Sequence, residues 1–235
     1  MTYLEFLIIF ICAPLLLTLC AKRLLKPVGK FEYLPITLMG IIALVYTTPW
    51  DNYLIMRGVW TYPAGVVAGV LGYVPIEEYF FMVLQTVFAG VLWTSLVPHI
   101  KYAKLRLSYP GLVMALFVGL FGALCLCYSC GTYLGLILVW ACPPLALQWG
   151  LGSQVLIQSF KTWAPLWIGF SVYLCIADSY AISEGIWSIT LATRTGIGVG
   201  HLPIEEILFF SLTNLFVLQG LCLWRAWRGD QSWSG

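Results

Sequence analysis

Long apolar stretches constrain this chain more than any other feature of its sequence. They are about 17–21 residues long, and each could cross most of a 30 Å hydrocarbon layer as an α-helix. Charged residues make up 9% of the 235 residues, whereas soluble domains carry roughly 25%. We therefore predict an all-α, polytopic membrane helix bundle in a single domain, 1–235, with about seven transmembrane helices. The predicted spans are 4–21, 34–50, 77–97, 109–129, 132–149, 164–182 and 205–224.

The first apolar stretch is predicted to be a true span and not a cleaved signal peptide. It begins at Glu5, has no basic region before it, and shows no clear small-residue cleavage site ahead of Lys22.

Charged residues divide between the two sides of the predicted bundle. Of the twelve Lys and Arg residues, all but Arg57 and Arg194 fall on the side of the C-terminus. The positive-inside rule then predicts a cytosolic C-terminus. The membrane would be the endoplasmic reticulum if the chain is fungal and the plasma membrane if it is prokaryotic. Acidic residues collect toward the opposite side, which predicts one acidic cavity there. They are Asp51, Glu77, Glu78, Asp178, Glu184, Glu205 and Glu206.

Two sequence blocks occur twice in the same order. The first is "DNYLIMRGVW" at 51–60 and "DSYAISEGIW" at 178–187, which share the pattern D-x-Y-x-I-x-x-G-[VI]-W. The second is "PIEEYFF" at 75–81 and "PIEEILF" at 203–209, whose prolines follow the tryptophan of the first block by 15 and 16 residues. Ordered blocks at nearly constant spacing indicate a duplication.

The duplication predicts how the spans are organised. We expect a first repeat over about 1–97, a linker helix over 109–129 and a second repeat over about 132–224. The linker helix makes the two three-helix repeats parallel, so both PIEE motifs lie at the same depth. Parallel repeats commonly place a functional site at their shared interface.

The adjacent glutamates of each PIEE motif are the main catalytic candidates: Glu77, Glu78, Glu205 and Glu206. A helix-capping role explains an acid beside the N-terminal proline, but adjacent helical residues point about 100° apart, so a pair is not needed for capping. One glutamate of each pair is expected to face the cavity, and the other to orient it or to pair with Arg57 or Arg194.

Buried carboxyl groups can hold and retake protons for general acid–base chemistry. Asp51 and Asp178 are weaker candidates for this role, since they head the predicted loop blocks and could simply hold them.

Aromatic residues near the acids are the candidate substrate-binding groups, because their π faces can stabilise a carbocation. An interfacial aromatic belt is the alternative explanation. Tyr53, Trp60, Tyr73, Tyr180 and Trp187 are predicted in the loops, and Phe80, Phe81, Phe209 and Phe210 one helical turn further in. His201 replaces Tyr73 in the second repeat and is a candidate for tuning Glu205 or Glu206.

The sequence predicts neither a metal site nor a cofactor. The eight cysteines lie within or at the ends of apolar stretches and are expected to pack between helices. "GIGVG" at 196–200 lacks the Lys-Ser/Thr of a phosphate-binding loop, and no dinucleotide fingerprint or DDxxD motif is present.

The duplicated segments "GYVPIEEYFF" and "GHLPIEEILF", in a small protein of seven spans, resemble the membrane lycopene cyclase domain. In that family the domain occurs as two small subunits in some bacteria, as a fused pair in archaea, and as the N-terminal half of a fungal bifunctional protein with phytoene synthase. The resemblance covers roughly 46–97 and 173–222.

The resemblance implies a redox-neutral isomerisation of a lipid-soluble polyene, lycopene, without flavin. Its implied partners are membrane lipid and a fused or associated phytoene synthase at the cytosolic C-terminus, but no nucleic acid. The chain ends where a fungal synthase half would begin, so a stand-alone enzyme and an excised domain both fit.

Two other classes of function remain open at this stage. One is a membrane terpene cyclase that acts on a shorter polyene or an epoxide. The other is a proton-coupled transporter or channel, although the acids collect at one face and do not form a polar path along several helices. A seven-span receptor fits less well, because the loops are short.

Overall fold

The computed structural model describes residues 1–24 and 32–231 and consists mainly of seven long helical segments. Helix α1 comprises Tyr3–Leu7, a π-helical turn at Ile8–Cys12, and Ala13–Leu24. The other helices are α2 Tyr33–Met56, α3 Ile76–Leu96, α4 Tyr109–Cys125, α5 Thr132–Gln158, α6 Phe160–Ser183 and α7 Ile204–Gln231.

The membrane character of the bundle follows from helix length and composition. Six of these helices are long and apolar enough to cross a membrane. The remaining helix, α4, has 17 residues, slightly fewer than the roughly 20 that a span usually needs. The prediction of an all-α, multi-pass membrane bundle is confirmed.

Several helices extend beyond the predicted spans, and the extension changes the position of the D-x-Y blocks. Helix α2 continues to Met56 and α6 to Ser183. Asp51 and Asp178 therefore lie inside helices, and the prediction that they head loops is wrong. Two residues after the last helical residue stands a glycine with positive φ, Gly58 or Gly185, both at 67°, a conformation that favours glycine just beyond a helix C-terminus.

Short β-ribbons connect the repeats at one end of the bundle. Strand β1 (Trp60–Thr61) pairs antiparallel with β4 (Ser188–Ile189), so the loops of the two repeats contact each other. Two further hairpins lead into the PIEE helices. They are β2 (Val70–Leu71) with β3 (Val74–Pro75) before α3, and β5 (Gly198–Val199) with β6 (Leu202–Pro203) before α7.

The two PIEE helices, α3 and α7, pack against each other in the middle of the bundle. Gln85 Nε2 on α3 donates hydrogen bonds to Thr213 Oγ1 at 3.2 Å and to Asn214 Oδ1 at 3.0 Å on α7. Asn214 Nδ2 in turn donates to Ser171 Oγ on α6 at 3.1 Å. Such interhelical hydrogen bonds fix neighbouring helices in an apolar interior. They hold the acidic N-terminal ends of α3 and α7 side by side.

Helix α4 packs closely on α5 through small residues. A methyl group added at Gly111, Gly122 or Gly135 would collide with backbone of the facing helix. Close backbone approach of this kind is typical of membrane helix pairs. Helix α4 thus lies against α5, the first helix of the second repeat.

Candidate active site

Four carboxylic acids meet where the two repeats contact each other. They are Asp51 on α2, Glu78 on α3, Asp178 on α6 and Glu206 on α7, with 1%, 9%, 1% and 3% of their surfaces exposed. Each aspartate interacts electrostatically with both glutamates. These four residues, here called the carboxyl cluster, therefore form one shared site.

The first glutamate of each PIEE pair has a different environment. Glu77 Oε1 accepts a hydrogen bond from the backbone N–H of Ala68 at 2.7 Å, and Glu205 Oε1 accepts one from that of Thr195 at 2.6 Å. Both donors belong to the loop that precedes the glutamate's own helix. Both glutamates thus bind backbone amides, whereas orienting the neighbouring glutamate and pairing with Arg57 or Arg194 were the two roles expected for them.

Hydroxyl and indole groups donate to the carboxyl cluster. Tyr62 Oη donates to Glu78 Oε1 at 2.6 Å, and Tyr133 Oη donates to Glu206 Oε1 at 2.6 Å. Trp187 Nε1 donates to Asp178 Oδ1 at 2.8 Å. Burial, together with the neighbouring Glu78 carboxyl, raises the pKa of Tyr62 well above its usual range, so its hydroxyl stays protonated and acts as a donor.

Tyr3 is brought to the cluster by the N-terminus of α1. Thr2 and Glu5 form a capping box there, since each side chain accepts from the other's backbone N–H. The backbone N–H of Tyr3 donates to Val66 O at 3.0 Å in the loop between α2 and α3. The Tyr3 ring consequently stacks on Tyr62, with ring centroids 6.1 Å apart, and lies beside Glu78.

A small cavity of about 30 Å³ opens beside the carboxyl cluster. Three of the four acids reach its wall: Glu78, Asp178 and Glu206. The rest of the wall is mainly aromatic and aliphatic. It consists of Tyr3, Phe6, Trp60, Tyr62, Phe81, Leu174, Ala177, Trp187, Ile189, Phe209 and Phe210.

The aromatic rings of the wall contact one another across the two repeats. Trp187 of the second repeat lies 4.9 Å from Tyr3 and 5.0 Å from Phe6 of the first, measured between ring centroids. Trp60 of the first repeat lies 5.9 Å from Tyr133 of the second. Each tryptophan therefore packs on the first helix of the other repeat. Together these rings surround the acids with π faces, which can stabilise positive charge.

The structure brings only part of the predicted aromatic set to the cavity. Trp60, Phe81, Trp187, Phe209 and Phe210 line it. The other predicted binding residues point away and are exposed on the protein surface. They are Tyr53, Tyr73, Phe80, Tyr180 and His201.

Helix geometry explains which aromatic residues point away. Tyr53 and Tyr180 lie in helices and not in loops as expected, two residues after Asp51 and Asp178. Phe80 likewise follows Glu78 by two residues. Helical residues two positions apart differ by about 200° in direction, so a side chain two positions after an acid faces away from that acid.

Sequence reasoning missed several residues of the site. Tyr3, Phe6 and Tyr133 come from the first helix of each repeat, and Tyr62 and Ile189 follow the tryptophans by two residues. A signal for the tyrosines was present, because the tripeptide Thr-Tyr-Leu occurs at both 2–4 and 132–134. Leu174 and Ala177 carry no polar group that would single them out.

Within residues 1–24 and 32–231, no group of three or more His, Cys, Asp or Glu residues is arranged to hold a metal ion. The eight cysteines are unpaired in this structure. The site described here is therefore built from carboxyl, phenol, indole and hydrocarbon groups.

Comparison with known proteins gives relatives that cover nearly the whole chain. The lycopene beta-cyclase of Halobacterium salinarum is 39% identical over 230 residues, which is 96% of this chain and 96% of that protein. The chain belongs to the lycopene beta-cyclase family. This membership confirms the resemblance drawn from the duplicated PIEE segments.

Fungal members of the family are longer proteins. The bifunctional lycopene cyclase/phytoene synthase of Gibberella fujikuroi is 34% identical over 203 residues, covering 82% of this chain but 35% of that protein. The protein of the same name from Aspergillus niger is 36% identical over 199 residues, with 79% and 34% covered. No protein-family model matches the sequence, and no solved structure matches it.

Proposed function

We propose that this chain is a lycopene beta-cyclase, an enzyme that closes the linear end group of lycopene into a β-ionone ring. The observation that carries the proposal is the carboxyl cluster, buried between two repeats and walled by aromatic rings. The substrate of such an enzyme is a hydrocarbon without polar groups, so the reaction must begin with protonation of a C=C bond. The family membership names the reaction, and the cluster supplies chemistry that fits it.

The reaction needs one proton to enter and one to leave. A carboxyl O–H protonates C2 of the terminal C1=C2 bond and leaves a cation at C1. The C5=C6 electron pair then forms the C1–C6 bond, which moves the cation to C5. Loss of the C6 proton to a carboxylate restores a C5=C6 double bond. The product is an isomer of the substrate, so no oxidant or reductant is consumed.

Glu78 and Glu206 act as the acid and the base in this scheme. They come from opposite repeats, both reach the cavity wall, and each accepts a hydrogen bond from a tyrosine hydroxyl. Asp51 and Asp178 interact with both glutamates. They carry the proton from the base back to the acid between turnovers. General acid–base catalysis of this kind contributes about 10²- to 10⁴-fold.

The aromatic wall stabilises the intermediate cations. Trp60, Trp187, Phe81 and Phe209 place π faces around the cavity beside the acids. A cation over such a face is stabilised by roughly 2 kcal/mol when water is excluded. The walls also keep water from capturing the cation.

The acidic end of the bundle faces the lumen or the outside, and the C-terminus faces the cytosol. Ten of the twelve basic residues on the C-terminal side support this orientation. A phytoene synthase would then meet this domain on the cytosolic side, as a partner or as a fused domain. Tags at the C-terminus and at residues 101–106 are expected to be accessible from the cytosol, whereas a tag near residue 190 is not. A cytosolic tag at residue 190 would refute the orientation.

Expression in cells that accumulate lycopene, followed by pigment chromatography, tests the function. Wild type is expected to yield cyclised product, and membranes are expected to do so without added NAD(P)H, flavin or metal. A shorter polyene and a terpene epoxide, offered in parallel, test the competing substrates. Unchanged lycopene beside a cyclised shorter substrate would reassign the substrate, and strict dependence on reduced flavin would refute the mechanism.

A further inference from the structure

The cavity beside the carboxyl cluster is one-sided, although the sequence around it is duplicated. Aligning the Thr-Tyr-Leu and D-x-Y segments of the two repeats pairs the following positions: Tyr3 with Tyr133, Phe6 with Leu136, Leu174 with Thr47, and Ala177 with Trp50. The first member of each pair lines the cavity. The second members are absent from the cavity wall formed by the described residues.

The half of the site around Trp50 is closed, and the equivalent half around Ala177 is open to the cavity. The indole ring of Trp50 fills the closed half. Its ring stacks on Trp140 at 5.0 Å and on Phe209 at 5.5 Å, and meets Trp60 edge-on at 5.7 Å. Its Nε1 donates to Leu136 O at 3.2 Å, which fixes the ring in place. The equivalent residue in the open half is Ala177, which has only a methyl group. The difference between an indole and a methyl group at one position makes the site asymmetric.

An apolar groove lies further along α3 and α6. Its volume is about 430 Å³, and its walls include Phe88 and Leu92 on α3 with Leu166, Gly169, Phe170 and Tyr173 on α6. The groove residue Phe170 lies four positions before the cavity residue Leu174 on α6, and the groove residue Phe88 follows the cavity residue Phe81 by seven on α3. Residues at these spacings share a helix face, so the groove and the cavity occupy neighbouring turns on the same faces of α3 and α6.

The groove presents hydrocarbon and aromatic surface to its occupant. The hydroxyl of Tyr173 donates a hydrogen bond to Phe10 O at 2.7 Å, so it needs no polar partner from a molecule in the groove. The cavity measures only about 30 Å³, so we expect it to widen when the end group of a linear polyene enters. Widening is easiest on the side of Ala177, where the wall is not braced by stacked indoles.

We propose that the polyene binds from one side only. Its reacting end group lies on the Ala177 side of the carboxyl cluster, the adjoining chain lies in the groove between α3 and α6, and Trp50 closes the equivalent position of the first repeat. The proposal rests on the function proposed above and makes Ala177 and Gly169 determinants of substrate binding.

Ala177→Trp tests the open half by adding the side chain that closes the other half. Displacement of a reacting group by about 1 Å can cost about 100-fold in rate, so cyclisation is expected to fall by at least that factor. Ile176→Trp is the matched control, since Ile176 is the neighbouring residue and is 65% exposed on the outer face of α6. It is expected to accumulate and to cyclise as wild type does.

Gly169→Leu tests the groove and does not depend on a tightly packed position. A Cβ atom added at Gly169 meets no atom within 4 Å, so the position has open space beside it and the variant is expected to fold. It should fill part of the groove and lower cyclisation about tenfold, whereas Gly169→Ala should lower it much less. Should Ala177→Trp fail to accumulate in the membrane, the two Gly169 variants decide the proposal.

The outcomes separate this inference from the proposed function. A wild type that leaves lycopene unchanged overturns both. An active wild type with equally active Ala177→Trp, or with Gly169→Leu as active as Gly169→Ala, overturns the one-sided binding alone. The latter result would show that the polyene chain does not occupy the groove.

Discussion

The two glutamates of each PIEE pair are neighbours in sequence but have different surroundings. Glu77 and Glu205 accept hydrogen bonds from backbone N–H groups of the preceding loops. Glu78 and Glu206 join the carboxyl cluster and reach the cavity. Because successive helical residues diverge by about 100°, one residue faces the loop and the next faces the neighbouring repeat. One short motif thus supplies one carboxyl group to a loop amide and another to the carboxyl cluster.

The same division occurs in both repeats although their loops differ. Glu77 follows Ala68 by nine positions, whereas Glu205 follows Thr195 by ten. The donor is a backbone amide in both cases, which any residue other than proline provides. The loop sequence can therefore vary while the glutamate keeps its hydrogen bond.

The largest expected effect is at the second glutamate of each pair. Glu78→Gln and Glu206→Gln keep the shape of the side chain but remove the transferable proton. Cyclisation is expected to fall by 10⁴-fold or more, at or beyond the upper end of general acid–base contributions, because an alkene is a very poor base. Pigment chromatography and membrane accumulation are measured together. Near-normal turnover in both variants would remove these glutamates from the mechanism.

A smaller loss is expected at the aspartates. Asp178→Asn is expected to lower cyclisation about 100-fold, as for a weaker general acid–base contribution. Asp51→Asn should have less effect, because Asp178 lies on the cavity wall and Asp51 does not. Rates from isolated membranes at matched protein levels provide the comparison. Equal losses at Asp178 and Glu206 would mean that the aspartate itself handles the substrate proton.

The first glutamates should affect stability more than chemistry. Glu77→Ala and Glu205→Ala remove the acceptor of a part-buried loop hydrogen bond, and a bond of this kind contributes about 1 kcal/mol. Glu77→Gln and Glu205→Gln retain an acceptor oxygen and should lose less. Thermal unfolding in detergent is the readout, with turnover changed less than tenfold in the Gln variants. A complete loss of turnover in a stable Glu205→Gln variant would contradict the division within the pair.

The smallest effect is expected at Tyr62. Tyr62→Phe removes one hydrogen bond to Glu78, and a single such bond contributes about 1 kcal/mol, or about fivefold in rate. The second repeat has Ile189 at the equivalent position, and Glu206 accepts its hydrogen bond from Tyr133 instead. Initial rates of Tyr62→Phe and wild type are compared at one pH. A loss as large as that of Glu78→Gln would make Tyr62 a proton carrier.

The helical register explains which parts of the site could be predicted. Both PIEE motifs and the D-x-Y blocks were visible in the sequence, and they do contain the four members of the carboxyl cluster. Tyr53, Phe80 and Tyr180 were grouped with them by nearness in sequence, yet they face outward two residues from an acid. Tyr3 and Tyr133 lie far from the motifs in sequence and were missed, because only the packing of α1 and α5 brings them to the glutamates.

The sequence by itself determined the membrane helices, the duplication and the presence of paired acids near two helix N-termini. Each of these features can be recognised within one continuous stretch of sequence or by comparing two such stretches. A membrane helix, for example, needs about 20 consecutive apolar residues. Tertiary structure alone decided which glutamate of each pair faces the cavity, that both repeats share one carboxyl cluster, and that Trp50 closes one half while Ala177 leaves the other open. Those outcomes depend on contacts between side chains more than 100 positions apart, such as Trp60 with Phe209, and helix periodicity does not specify which helices become neighbours.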